Sequence, residues 1–437
     1  MKANTGNRYS HRIAPLLYVL GVLFVAILFF SNDFGLVDIQ KTAIILAVGV
    51  DREENAFVVT SQIAVPSASP DSKASAEAIQ VETRGETIGA AIQKVNEKTG
   101  WYPKLVFCNL ILLGKSALEK DVFECLDFFL RNDYMSDDCL VCCCEEQAGE
   151  LLSTQTSVEK VSSLAVVKIL SEHAAKAGLV APVTLREFAE GYFGGGSGIL
   201  PVLKAEPLSS PPEQSGENGG SQSGGSQDGG SQDGGSQDGG GGGSQDGGGG
   251  GSGSSQGESG GGQGEKNAEK TFTAAETALF NDGAYLGKLT ADETFALQFV
   301  RDGMRLASLN VEYAGVQYTL LIKKGEANVK FFVDEYAAPR LYVTLDMKAG
   351  LQDSSSSQTI NEIASPEKIN EAILARAKEK LTKLLKSTFE KSRALGCDVF
   401  DVKRRLQKYE PSYFSAYRET VLERLLFYTE AEISPAR

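Results

Sequence analysis

Histidine is almost missing from this chain, with only His11 and His173 in 437 residues. Serine or cysteine nucleophiles need a nearby base, and His173 sits in an alanine-rich stretch with no marked nucleophile or metal partner, so a catalytic pair has one candidate base and no motif. No G-x-G-x-x-G and no P-loop pattern occurs; the GGGSG at Gly194–Gly198 is not followed by a helix pattern and reads as a turn. Net positive charge is missing too. The formal charge is −14, which excludes a phosphate-tracking nucleic-acid binder, since that needs a basic face. After Phe30 no run is long and apolar enough to span a bilayer. No residue is thus assigned a catalytic, cofactor-binding, metal-binding or ligand-binding role.

What is present begins with IAPLLYVLGVLFVAILFF, Ile13–Phe30, eighteen residues without a charge. As a helix it spans ~27 Å, just enough for the hydrocarbon core. Lys2, Arg8 and Arg12 precede it, and Asp33 and Asp38 follow. Positive charge stays inside, so residues 1–12 form a cytoplasmic tail, 13–30 a single-pass anchor, and the bulk lies outside. A cleaved signal peptide competes with this reading. It wants an A-x-A pattern, and FFSNDFG is a poor site.

TAIILAVGVD (Thr42–Asp51) is a continuous apolar run and predicts a buried strand; AFVVTSQIAV pairs with it as a hairpin, and IQVETRG adds a third strand. Ile88, Ile92 and Val95 recur at helical spacing before Gly100. KLVFCNLILLG (Lys104–Gly114) predicts another strand. Ser116 and Glu119 have capping-box spacing ahead of a helix lined by Leu118, Val122, Leu126 and Phe129. SSLAVVKILSEHAAKAG, closed by Gly178, and TLREFAEGYF, capped by Thr184 and Glu187, predict two helices, and ILPVLKAEPL a strand.

Residues 209–270 carry SQDGG repeats and long Gly runs. Such a segment buries too little apolar area to offset its ordering entropy and is expected to be disordered. A calcium-binding repeat would need large stacking apolar residues, which are lacking. Asn281-Asp282-Gly283 marks a hairpin turn, and Thr290 with Glu293 caps the helix ADETFALQFVRDG. Four runs from LASLNVEY to RLYVTLDMKAG suggest an antiparallel meander. A long helix from Pro366 to about Leu395 follows, with the buried stripe Ile369, Ile373, Ala377, Leu381, Leu384 and Phe389. Its Lys/Arg-rich remainder reads as a solvated face, or as contact with anionic lipid or wall polymer. The tail from Tyr409 through Phe427 reads as one more helix. The expected fold class is thus α+β, or mixed α/β, with domains at 36–145, 146–305 (interrupted by the insert) and 306–437 behind the anchor.

DDCLVCCCEE places Cys139, Cys142, Cys143 and Cys144 in six positions. Cys139 and Cys142 have C-x₂-C spacing, but no second pair or His completes a metal site. In a strand Cys142 and Cys144 share one face and Cys143 the other. Buried small apolar positions are the simplest reading, beside a disulfide to Cys108, Cys125 or Cys397, or a metal.

In series, these pieces resemble the C subunit of bacterial spore germinant receptors, the Ger(x)C family. AIILAVGVD with FVVTSQIAVP resembles its opening strands. Glu86, Ile88, Leu110–Gly114, Asp127–Phe129, Arg131 and Asp133 match its next block, ILPVL its LP-x-L strand, ALFNDGAYLGKLTADET a later signature, and GCDVFDVKRRLQKYEPSYF its ending. The resemblance implies a non-enzymatic, three-domain subunit without cofactor, in which ILPVLKA and ETALFND are neighbours in one sheet and the Gly-rich stretch is an insertion between them. It would sit on the outer face of the spore inner membrane beside integral-membrane A- and B-type subunits, in a complex that answers to small germinants. Family members are typically lipoproteins with a Cys closing the signal peptide. Here no Cys lies near Phe30, and an uncleaved helix takes the lipid's place. A stand-alone membrane-tethered binding module and a wall-associated enzyme are the competing functions.

Overall fold

The computed structural model describes residues 10–31, 41–65, 77–156, 159–208, 270–334, 336, 338–355 and 369–436. The expected disorder of the Gly-rich stretch falls on 209–269 and lies outside the described residues. Its last position does not, because Lys270 begins a strand.

The first sheet is built around strand β1 (Thr42–Glu53), whose Ile45, Ala47, Val48 and Val50 are fully buried. A strand buried on both faces reads as an uninterrupted apolar run, which is why TAIILAVGV lacks alternation. The other strands are β2 (Ala56–Val65), β3 (Glu77–Gly85), β4 (Tyr102–Lys104), β5 (Leu110–Leu113), β6 (Leu140–Cys144), β7 (Ser197–Pro207), β8 (Lys270–Asn281) and β9 (Ala284–Leu289). Their order is β3-β2-β1-β5-β6-β7-β8-β9, with β4 beside the start of β1. β1, β5, β6 and β7 run parallel, and β2–β3 and β8–β9 add antiparallel pairs at the two edges. ILPVLKA and ETALFND therefore lie side by side, as the resemblance implies. The β8–β9 turn uses Asp282 and Gly283 with φ of 45° and 75°, the two left-handed positions of a type I′ hairpin. The sequence-drawn boundary after Glu145 falls within this one sheet, between β6 and β7.

Helices α2 (Ile88–Gln93), α3 (Val95–Thr99), α4 (Phe123–Leu130) and α8 (Leu185–Gly195) cover one face, and α5 (Ala148–Ser153), α6 (Ser162–Ile169) and α7 (Glu172–Lys176) the other. Both capping boxes at Thr184/Glu187 and Thr290/Glu293 form. The one expected at Ser116/Glu119 does not. Lys115–Glu119 is a 3₁₀ turn without a side-chain cap, because the Ser116 hydroxyl is engaged across the sheet by the Arg52 N–H at 2.9 Å. KLVFCNLILLG is two short strands rather than one, split by a turn at Leu105–Cys108. SSLAVVKILSEHAAKAG is likewise two helices, since Ser171 caps the second by accepting from the Ala174 N–H.

The second sheet, β10-β11-β12-β13, holds β10 (Ala307–Tyr313), β11 (Val316–Val333), β12 (Pro339–Ser354) and β13 (Leu426–Pro435). It corrects the expected meander twice. VQYTLLIKK and NVKFFV fuse into one 18-residue strand, bent by an irregularity between Ile322 and Lys324. Leu426 and Phe427 belong to a strand, not a helix, and β13 runs parallel to β12, so the sheet is mixed. Alternate residues of the tail (Ala431, Ile433) face the core; that period of two sits in a stretch too short to outvote the helical pattern before it. α9 (Ala291–Asp302) and α10 (Glu371–Ala394) pack on this sheet. α10 starts at Glu371, capped by Asn370, not at Pro366, and Leu385 is fully buried where Leu384 was expected. α11 (Val402–Tyr409), α12 (Pro411–Tyr417) and α13 (Val421–Arg424) close the chain before β13. The fold is α+β with two mixed sheets.

The N-terminal apolar segment is a helix, α1 (Ser10–Ser31), and its described residues from Tyr18 to Val25 are all exposed. Among the described residues no helix is long and apolar enough to cross a membrane.

Candidate functional site

A cleft of about 240 Å³ opens where the first sheet meets the helices of the second. Its floor comes from the α8–β7 junction, its roof from the segment between α10 and α11, and Arg301 of α9 reaches it from the side. The junction is glycine-rich because space demands it. A Cβ on Gly191 would lie 2.4 Å from the Ser197 carbonyl oxygen, and one on Gly198 would lie 2.6 Å from the Phe188 ring. Gly196, with φ of 77°, ends α8 in the left-handed conformation that glycine adopts without strain.

Asp398 is the cleft's most constrained charge. It is 6% exposed, and its two carboxylate oxygens accept from the N–H groups of Val402 at 2.9 Å and Lys403 at 2.7 Å. It thereby satisfies two free donors at the start of α11. Burial pushes its pKa up to about 6, against the lowering effect of those two bonds. Ser197, at the start of β7, accepts from the Asp398 N–H at 2.9 Å. The Cys397 thiol lies 3.3 Å from the Phe280 carbonyl oxygen, and burial pushes it up to about 12. Arg301 keeps its Nη1 buried and without a hydrogen-bond partner. Arg404 and Glu190 face each other across the mouth at 3.7 Å. The cleft is lined by both guanidinium and carboxylate groups. None of its hydrogen bonds joins a nucleophile to a base.

The residues singled out from the sequence lie elsewhere. His173 is on α7, exposed. Cys142 and Cys144 pack on the α5–α6 face and Cys139 and Cys143 on the other, each at most 2% exposed. All seven thiols are free. Among the described residues no group of three or more His, Cys, Asp or Glu could hold a metal. Asp398, Ser197 and Arg301 escaped the sequence reading. The one local signal was an acidic residue four positions ahead of the VKRRL helix, and its role depends on a serine 201 positions away.

Comparison with known proteins matches residues 36–205 to the family model described as spore germination protein N-terminal domain. Residues 275–434 match the model described as spore germination B3/GerAC like, C-terminal. The crystal structure of the GerBC protein superposes with a TM-score of 0.47 at 13% sequence identity, covering 89% of this chain and 96% of that chain. No curated protein matches.

Proposed function

Because the chain belongs to the GerAC-like (Ger(x)C) family of spore germination proteins, we propose that it is a non-enzymatic germinant receptor subunit. In this reading α1 anchors it in the spore inner membrane as a single pass. The two sheets lie on the outer face and touch integral-membrane A- and B-type subunits. The observation that carries the reading is the ordered pair of family matches over 36–205 and 275–434, on either side of the Gly-rich insert. The anchor rests on the charge-free run Ile13–Phe30 with Lys2, Arg8 and Arg12 ahead of it.

The test is genetic and biochemical. Spores lacking this chain should lose the response to at least one nutrient while still germinating with a non-nutrient trigger. The tagged chain should co-purify with two multi-pass subunits. Unchanged nutrient response together with purification of the chain alone refutes the reading. A stand-alone binding module is the second reading, favoured by the unpartnered Arg301 nitrogen in the cleft. Saturable binding of a small nutrient to the isolated chain, abolished by Arg301→Ala, would select it.

A further inference from the structure

The β4–β5 connection has the wrong chemistry for a solvated turn. The Cys108 N–H donates to the Leu105 carbonyl at 2.9 Å, closing a tight turn whose two middle residues are Val106 and Phe107. They are 51% and 56% exposed, while Leu105 and Cys108 on either side are 5% and 1% exposed. Such positions normally carry Gly, Asn, Asp or Pro, which suit the turn geometry and water. Here two large apolar side chains are held out on a tip clamped by its buried neighbours.

Two tyrosines flank Lys104, the residue just before the turn. Tyr102 is 54% exposed and Tyr134 66%. The Lys104 ammonium lies 5.6 Å from the first ring centre and 5.3 Å from the second, gathering them into one cluster. Tyrosine and lysine around an apolar tip is the composition of a bilayer interface, where rings sit at headgroup depth and a lysine stem reaches back to water.

The position of this cluster decides what covers it. β4 pairs in parallel with the first residues of β1, Thr42 opposite Tyr102 and Ile44 opposite Lys104. The Asn109 N–H donates to Leu46 and the Leu140 N–H to Asn109, each at 3.0 Å, so the tip and the approach to β6 share the end of the sheet at which β1 begins. α1 ends at Ser31 and β1 begins at Thr42. The ten residues between them, eleven Cα–Cα steps, reach at most about 36–40 Å, which limits how far that end of the sheet lies from the outer end of the anchor. Asp133, Asp137 and Asp138 are exposed near Tyr134, and Asp138 is paired with Arg186. The surface is therefore not built to attract anionic lipid. Its affinity is apolar.

We propose that the Val106–Phe107 tip, with Tyr102, Lys104 and Tyr134, inserts into the lipid interface and seats this end of the first sheet on the membrane. The proposal rests on the reading of α1 as an anchor. Two apolar side chains alone hold a protein weakly, but beside a tether their insertion is intramolecular and needs little affinity.

The full-length chain in phosphatidylcholine nanodiscs, spin-labelled singly at Val106→Cys, Phe24→Cys or Tyr336→Cys, tests it. The seven native thiols are buried and stay unlabelled. Tyr336, 81% exposed beside the β11–β12 turn, is the aqueous reference. Labels at 106 and 24 should collide with oxygen several-fold more, relative to a water-soluble nickel chelate, than the label at 336. Adding Phe107→Ser should move the label at 106 toward the aqueous value. A label at 106 that matches 336 while 24 stays embedded overturns the proposal, leaves the anchor standing, and frees the tip for a protein partner. An embedded 106 with an aqueous 24 removes the anchor but keeps the tip as a membrane contact in its own right. Aqueous values at both positions overturn both.

Discussion

The N–H of Asp398 donates to the Ser197 hydroxyl at 2.9 Å, across 201 positions of sequence. One residue opens β7 in the first sheet; the other precedes α11 on the second. With the Cys397 thiol against Phe280, the bond ties the roof of the cleft to its floor and so joins the two sheets.

Ser197→Ala leaves that N–H without an acceptor where Asp398 is 6% exposed. The expected loss is about 1–3 kcal/mol, read as a lower urea midpoint with an unchanged slope. An unmoved midpoint would mean that water takes over the bond.

Asp398 also makes stability depend on pH. Its pKa is pushed from 3.8 up to about 6 by burial, so between those values the folded chain holds a proton that the unfolded chain has released. Stability from this group is highest below pH 4 and falls as pH rises to about 6, by about 3 kcal/mol in all. Asp398→Asn has no such proton. The stability gap between parent and variant should shift in the parent's disfavour by about 2 kcal/mol from pH 4 to pH 7. A gap that does not change with pH counts against a raised pKa.

The cysteine strand is structural. Cys142→Ser should cost about 1–3 kcal/mol, since it buries a hydroxyl among apolar neighbours, and more than Cys142→Ala. At Cys144 the two changes should be closer, because the Glu146 carbonyl oxygen, 3.3 Å from the thiol, offers a hydroxyl an acceptor. Stoichiometric zinc in the parent, lost in the Ala variants, would contradict this account.

Gly114→Ala should be severe for a reason of space, not of backbone angle, since φ is −76°. A Cβ there would lie 1.8 Å from the Asp51 carboxylate and 2.8 Å from the Ala148 nitrogen. Asp51 accepts from the Ala148 N–H at 2.9 Å at the start of α5. Displacing it costs the cap as well as the clash, at least about 2 kcal/mol. In an Asp51→Ala background the penalty of Gly114→Ala should shrink clearly in thermal melts; full additivity would separate the two residues.

Replacing residues 209–269 by a four-residue turn should leave the fold intact. β7 and β8 are neighbours, and the Thr273 hydroxyl donates to Glu206 at 3.1 Å while Lys204 pairs with Glu276 at 2.5 Å. Loop closure changes by about 0.6 kcal/mol per doubling of length, so stability should rise by up to about 2 kcal/mol. Unfolding of the shortened chain would show that the segment does more than close a loop.

Several features were legible in the residues themselves because their causes are local. β1 shows as an apolar run, the hairpin turn as Asn-Asp-Gly, the helix starts at Thr184 and Thr290 as reciprocal Thr/Glu caps, and the cysteine strand by its two-residue alternation. The ordered series of short motifs carried the family. Other features had causes in residues far along the chain. Ser116 has the spacing of a cap, but the Arg52 N–H claims its hydroxyl. Leu426 and Phe427 continue a helical pattern, but the open edge of β12 takes them as a strand. Asp398 is unremarkable until Ser197 and the start of α11 close around it, and Val106 with Phe107 looks like part of a strand until the Leu105–Cys108 turn turns both outward. Period, capping and turn chemistry act over a few residues, so sequence alone determines them wherever no distant partner claims the same groups. Hydrogen-bond partners, edge pairing and exposure depend on which surfaces meet, and only the tertiary structure decided those.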